Sequence, residues 1–225
     1  MTTGLKPRAE LELDRLALDP YCKFYLPLWK LDGDSFADHS AYGHLCTNYG
    51  PIWTPQGRSF DGVDDYVDCG VKDSLNLTDE IALEAWIKIK DFTTAGYLLA
   101  RNLAAPSDSM QYGIYLNTDE SVYITVEQST WGSGIIAPIG EWTHLVALIK
   151  SGSYQKLYLN GAYQAKTTCP TISSRDWKLL IGMRNNNGGQ SYPFNGLIGE
   201  VRIYSRVLTP QEILDHYIIG KEMFG

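Results

Sequence analysis

The chain has 225 residues, 44% of them hydrophobic and 12% aromatic, enough to bury a sizeable core, and a β-sandwich of this length commonly forms one domain. Its net charge of -7 argues against the basic face that a nucleic-acid or anionic-membrane partner needs. No apolar run approaches the length of a membrane span, so neither a nucleic-acid partner nor membrane insertion is expected.

Residues 1–10 carry no apolar segment behind their basic residues and do not have the pattern of a secretory signal peptide. Residues 1–20 are expected to form an arm, with Leu11, Leu13, Leu16 and Leu18 interleaved with charge and Pro20 ending it. The arm admits a short helix or an extended segment, packed on its own domain or on a neighbouring subunit of a homo-oligomer. Residues 21–225 are expected to form the domain. Cys22, Cys46, Cys69 and Cys169 have no Cys-x-x-Cys spacing and are not expected to bind zinc. They permit three disulfide pairings, and buried free thiols are an equal alternative.

From Cys22 onward strands alternate with turns. Phe24 to Trp29 is apolar, with Pro27 suited to an edge or bulge. The Asp38-His39-Ser40 stretch is turn chemistry, with Asp38 bonding local backbone N–H groups. Ile81, Leu83, Ala85, Ile87 and Ile89 share one strand face, with Glu84, Trp86 and Lys88 on the other. Val122, Ile124 and Val126 alternate with Tyr123 and Thr125, and Trp142 to Lys150 has the two-sided apolarity of a central strand. Asn160-Gly161 between two strand-like runs is a hairpin signal. Trp177 to Met183 and Leu197 to Tyr204 are two further strands. Near the end, Thr209 caps a helix, Pro210 takes its first position, Glu212 completes a capping box and Gly220 supplies the stop. Many strands with one short late helix predict an all-β, two-sheet antiparallel sandwich.

Asp61, Asp64 and Asp65 crowd around Gly62, between two strand-like ends. Carboxylates this close repel unless a cation sits among them, and Ca²⁺ takes such oxygen ligands; a solvated Asp-Gly turn is the plainer alternative. Ser59-Phe60-Asp61-Gly62-Val63-Asp64-Asp65-Tyr66-Val67 resembles a signature of the concanavalin A-like, laminin G-like jelly rolls. Glu84-Ala85-Trp86-Ile87-Lys88, Glu141-Trp142-Thr143-His144-Leu145, Leu157-Tyr158-Leu159-Asn160-Gly161 and the closing run Phe194 to Thr209 resemble four more of its segments, in the family's order. The resemblance implies a jelly roll of two curved sheets, and ligand binding at one rim or on the concave face. It also implies a Ca²⁺ held by Asp61, Asp64 and Glu200. The family's Ile-Asp-Glu-Val reads Ile198-Gly199-Glu200-Val201 here, so one acidic ligand is missing and the site is expected to be weaker. An extracellular or particle-surface setting is the family's usual one.

A glycosidase needs two carboxyl groups flanking the scissile bond, and the alternating Glu-x-Asp-x-x-Glu run of the glucanases of this fold is absent. Glu84 near Lys88 and Glu200 beside Arg202 are expected to be paired surface charges, and His144 a core histidine. Catalysis is therefore not expected, and a glycoside hydrolase ranks last. The leading expectation is a non-catalytic module that recognises carbohydrate. Two loops have aromatic and amide groups suited to sugars: 128–134, holding Trp131, and 184–192, holding Asn185, Asn187 and Tyr192. The competing expectation is a structural or adhesion protein of a larger assembly, such as a virus particle surface.

Overall fold

Strands that alternate apolar and polar residues bury one face each, and pairing them buries two such faces against each other. The computed structural model of the chain describes residues 8–31, 33–103, 109–186 and 189–225. Helix α1 (Arg8–Leu16) comes first. Strands β1 (Cys22–Pro27), β2 (Ser35–Ala37), β3 (Leu45–Tyr49), β4 (Ile52–Thr54), β5 (Gly57–Asp61) and β6 (Tyr66–Val71) follow. Then come β7 (Glu80–Ile89), β8 (Gly96–Asn102), β9 (Met110–Leu116), β10 (Ser121–Val126), β11 (Ser129–Ile136) and β12 (Trp142–Lys150). The chain closes with β13 (Tyr154–Leu159), β14 (Ala162–Thr168), β15 (Lys178–Ile181), β16 (Arg184–Asn186), β17 (Gly189–Ser191), β18 (Asn195–Tyr204) and helix α2 (Pro210–Phe224).

The first sheet runs β14-β13-β12-β7-β18-β5-β4 and the second β11-β10-β9-β8-β15-β6-β3-β2, every pairing antiparallel. The far edge of β18 is shared: Asn195 to Ile198 pair with β5, and Glu200 to Tyr204 with β1. Between the sheets lies one core, including Leu83, Ala85, Ile87, Leu145, Ala147 and Val201 from the first and Ile114, Val122, Ile124, Ile181 and Val67 from the second. The two-sheet sandwich is thus as the alternation predicts. Asn160 (φ 50°) and Gly161 (φ 77°) make the expected hairpin turn between β13 and β14. Asp38 accepts backbone N–H bonds from Tyr25, Ser40 and His44, and a ring N–H of His44 besides.

The outward face of the first sheet is covered by both helices. The Thr209–Glu212 capping box is present, but α2 does not stop at Gly220. It continues to Phe224, and Gly220 sits inside because a Cβ there would lie 2.2 Å from the Trp86 indole nitrogen. The arm is a helix that covers its own domain: Leu13 packs with Trp29, Trp86 and Phe224, and Lys30 pairs with Asp14 at 2.7 Å. Residues 1–7 lie outside the described residues. All four cysteines are buried free thiols.

Glu212 also ties α2 to the sandwich, pairing with Arg206 at 2.7 Å. The Arg206 guanidinium holds the Glu212 carboxyl at about 2, below its ordinary 4.5. A depressed carboxyl stabilises above its unfolded value and loses that contribution as pH falls toward the folded one. At a side chain 35% exposed, solvent screening leaves about 1 kcal/mol. Thermal unfolding of wild type and Glu212→Gln from pH 6 down to 2 should therefore show the wild type's advantage shrinking below pH 4.5. A constant gap would exclude this linkage.

Candidate functional site

On β8, β9 and β10, the residues opposite the core face outward from the second sheet. Register sets Tyr123 beside Tyr115 and Tyr115 beside Tyr97. Their rings stack side by side at centroid distances of 4.9 and 4.8 Å. Gly132, opposite Tyr123 on β11, leaves room for that ring, since a Cβ there would lie 2.7 Å from it. Tyr97 is buried, Tyr115 and Tyr123 are half-buried, and the Tyr123 hydroxyl donates to Asp119 Oδ2 at 2.7 Å. Burial, reinforced by the neighbouring tyrosines, pushes the Tyr115 phenol up to about 12, so it stays a neutral donor and acceptor.

The β16–β17 hairpin borders this row. The Asn102 amide donates to the Asn185 carbonyl, the Asn185 N–H donates to Asn102 Oδ1 at 3.3 Å, and Tyr97 N–H donates to Tyr192 O at 2.9 Å. So held, the Arg184 guanidinium lies 5.1 Å from the Tyr192 ring centre and 5.7 Å from that of Tyr97. Ala95, Tyr97, Tyr115, Asn117, Thr130, Arg184 and Tyr192 enclose a polar pocket of about 250 Å³. A wider recess of about 570 Å³ adjoins it, sharing Ala95, Asn117 and Tyr192. Tyr192 is 44% exposed at the mouth.

Of the residues nominated from sequence, the structure brings Tyr192 into this site and puts Asn185 on the hairpin, where its backbone anchors the wall. Asn187 lies outside the described residues. Trp131 is not on a loop. Residues 129–136 form edge strand β11, and Trp131 pairs with Ile124, which turns its ring toward the core. Tyr97, Tyr115 and Arg184 were missed. Alternation exposes Tyr115 and Tyr123 in each strand separately, but only register assembles them.

The Asp-Gly turn gathers Asp61, Asp64 and Asp65, whose carboxylate oxygens lie within 4.8 Å of one another. Asp65 Oδ2 accepts the Asp61 N–H at 2.8 Å, and Asp61 Oδ1 accepts the Val63 N–H at 2.8 Å. Burial raises the Asp65 carboxyl, and Asp61 and Asp64 add repulsion. Glu200 does not belong to this group. Asp61 faces Asn195 on β18, and Glu200 is five residues farther along, roughly 17 Å away. Gly199 is not a vacated ligand position either: β18 bulges there beneath α2, where a Cβ would meet the Phe224 ring at 2.5 Å.

Glu200 instead belongs to a buried charge cluster under the helices. Arg202 donates to both Glu200 oxygens, and Glu84 Oε1 stands 3.7 Å from Arg202. His144 Nε2 is 2.8 Å and His216 Nδ1 is 3.0 Å from Glu84. Tyr25 OH donates to Glu200 at 3.3 Å. The Glu200–Arg202 pair exists, but it is buried rather than a surface pair, and His144 is the expected core histidine. Burial opposes ionisation of Glu84, but His216, His144 and Arg202 outweigh it and hold its carboxyl well below the ordinary range. For Glu200 burial prevails and the carboxyl is raised. Every member is buried, and of them His216 lines the recess of about 530 Å³ between α1 and α2.

Structures of known proteins share this architecture. Trypanosoma rangeli sialidase in complex with sialic acid matches at TM-score 0.67 and 16% identity over 97% of this chain, which spans only 38% of the sialidase. Domain 4 of AbnA, a GH43 extracellular arabinanase from Geobacillus stearothermophilus, in complex with arabinotriose, matches at TM-score 0.65 and 19% identity, over 87% of this chain and 98% of that domain. The CBM40 of Ruminococcus gnavus IT-sialidase, bound to α2,3-sialyllactose, matches at 0.56 and 15%, over 63% of this chain and 84% of that one. At these identities the likeness is one of fold. The family model for the concanavalin A-like lectin/glucanases superfamily, Laminin_G_3, matches residues 61–214, and the chain belongs to that family.

Proposed function

We propose that the chain is a non-catalytic carbohydrate-binding module whose ligand sits on the tyrosine face of the second sheet. The observation that carries this is the polar pocket of about 250 Å³ walled by Tyr97, Tyr115, Asn117, Thr130, Arg184 and Tyr192. A few convergent hydroxyl, amide and guanidinium groups on a rigid scaffold suit a polyhydroxylated ring. Tyr192 offers an exposed ring to an apolar sugar face, the phenols and Asn117 exchange hydrogen bonds with hydroxyls, and Arg184 donates to oxygens. No carboxylate stands among the described residues that line the pocket, which supports binding without hydrolysis. The arabinotriose and sialyllactose complexes of two similar domains favour the same class of ligand.

The test is a glycan array followed by calorimetry on the bound sugar. Tyr192→Ala should weaken binding about tenfold, or ~1.4 kcal/mol, with the unfolding temperature unchanged and no sugar cleaved. A wild-type chain that binds nothing on the array, or a Tyr192→Ala chain that binds like wild type, would remove the reading.

A Ca²⁺ in the Asp turn is the second part of the proposal. Hard carboxylate oxygens are the donor set this ion takes, and three converge in Asp61, Asp64 and Asp65. A bound ion would pin the turn between β5 and β6 against the mutual repulsion of its carboxylates. Excess Ca²⁺ should then raise the unfolding temperature relative to EDTA, by about 2.7 kcal/mol of stability at a hundredfold excess over Kd. Asp64→Asn should blunt that rise, and an unchanged wild type would rule the ion out.

A further inference from the structure

The outward face of the second sheet carries a second aromatic group. Tyr66 on β6 and Tyr49 on β3 are directly paired, and their rings stack at 4.7 Å with 11° between planes. Both stand opposite the core-facing Val67 and Cys46, so they share the face that bears Tyr97, Tyr115 and Tyr123. They also share its level. Register pairs Ile181 with Val67 on one side and Leu99 on the other, which places Tyr66 and the Tyr97–Leu98 bulge at matching heights. After Gly182 the chain leaves β15 for the β16–β17 hairpin, which is tied to β8 through Asn185 and Asn102. From Tyr123 to Tyr49 the row crosses five strand spacings, about 24 Å. A recess of about 360 Å³ lies against the second pair, lined by Tyr49, Gly50, Asp64 and Tyr66. Tyr49 is 47% exposed.

We propose that the Tyr49–Tyr66 pair is a second sugar subsite, so that this face takes an extended oligosaccharide crossing the strands rather than one terminal sugar. The inference rests on the carbohydrate reading above. An outward ring face of the pair stacks on a sugar ring seated in the recess against it. The two subsites, held on one rigid sheet, act as linked sites, so a chain long enough to reach both gains affinity from the second contact without a second association cost.

The experiment measures affinity by calorimetry for linear arabino-oligosaccharides of two to eight rings, with sialyllactose as a short control. Wild type should bind the longest at least tenfold more tightly than the shortest. Tyr49→Ala, checked for an unchanged unfolding temperature, should abolish that gain and leave affinity for the short sugars intact; Tyr66→Ala, checked in the same way, should reduce it. Equal affinity across the lengths, or a length gain that survives both substitutions, overturns the second subsite and leaves the first pocket standing. Failure of wild type to bind any of these sugars or any glycan of the array overturns both.

Discussion

Arg202→Ala should destabilise the domain by about 3–5 kcal/mol, the usual consequence of removing one partner of a buried ion pair. Arg202 is fully buried with Glu84 and Glu200, both also buried. Its guanidinium serves both of these carboxylates and lies 4.2 Å from the Tyr25 ring centre. Without it, Glu200 keeps only the Tyr25 hydroxyl among the partners described, and Glu84 must rely on His144 and His216. The accompanying shifts agree in direction: Glu200, Tyr25 and Glu84 hold Arg202 well above the ordinary guanidinium value, although burial opposes its charge. Urea unfolding at pH 7 measures the loss. Arg202→Ala combined with Glu200→Gln should recover part of it, because the second change removes the stranded charge. A loss under about 1 kcal/mol, or a double variant no better than the single, would show that the cluster is not the coupled unit described here.

The way this cluster escaped the sequence reading shows what alternation does and does not carry. Period-two patterning put Glu84, Trp86 and Lys88 on one face of β7, and that is where they are. It says which face a residue takes, not what later covers that face. Glu84 and Glu200 looked like surface charges because the covering elements, α1 and α2, come from the two chain ends and reach the sheet only through tertiary packing. The same limit hid the tyrosine face. Tyr123 was legible on its own strand, whereas the stack needs the register between β8, β9 and β10. The placing of Trp131 on a loop failed for a related reason. Gly132 and Gly134 beside it resemble loop residues, but one glycine lies beneath the Tyr123 ring and the segment is an edge strand. What was fully legible were local rules: the Thr209–Glu212 capping box, the Asn160-Gly161 turn, the core alternation of β7 and the two-sided apolarity of the central strand β12.

Trp86→Ala should cost about 3–5 kcal/mol, in the range of large aromatic truncations in a packed core, and should undock the C-terminal helix. Trp86 is 1% exposed. Its indole stacks on His144 at 5.2 Å, Tyr217 at 5.8 Å and Phe224 at 5.2 Å, so one ring joins β12 to both ends of the second half of α2. Gly220 is the helix's point of closest approach to that ring. This explains why a glycine, unfavourable by about 1 kcal/mol inside a helix, stands in the middle of α2. Two readouts separate this account from a general loss of packing. Hydrogen exchange in Trp86→Ala should rise in residues 210–224 at temperatures where β8 to β10 remain protected, since those strands pack on the opposite sheet. Gly220→Ala, which adds a methyl where the indole already sits, should cost about 1–3 kcal/mol by overpacking, and combining it with Trp86→Ala should remove that penalty, because the methyl then points into the vacated space. Exchange that rises evenly through both sheets, or a Gly220→Ala cost that persists without the indole, would place the anchoring of α2 elsewhere.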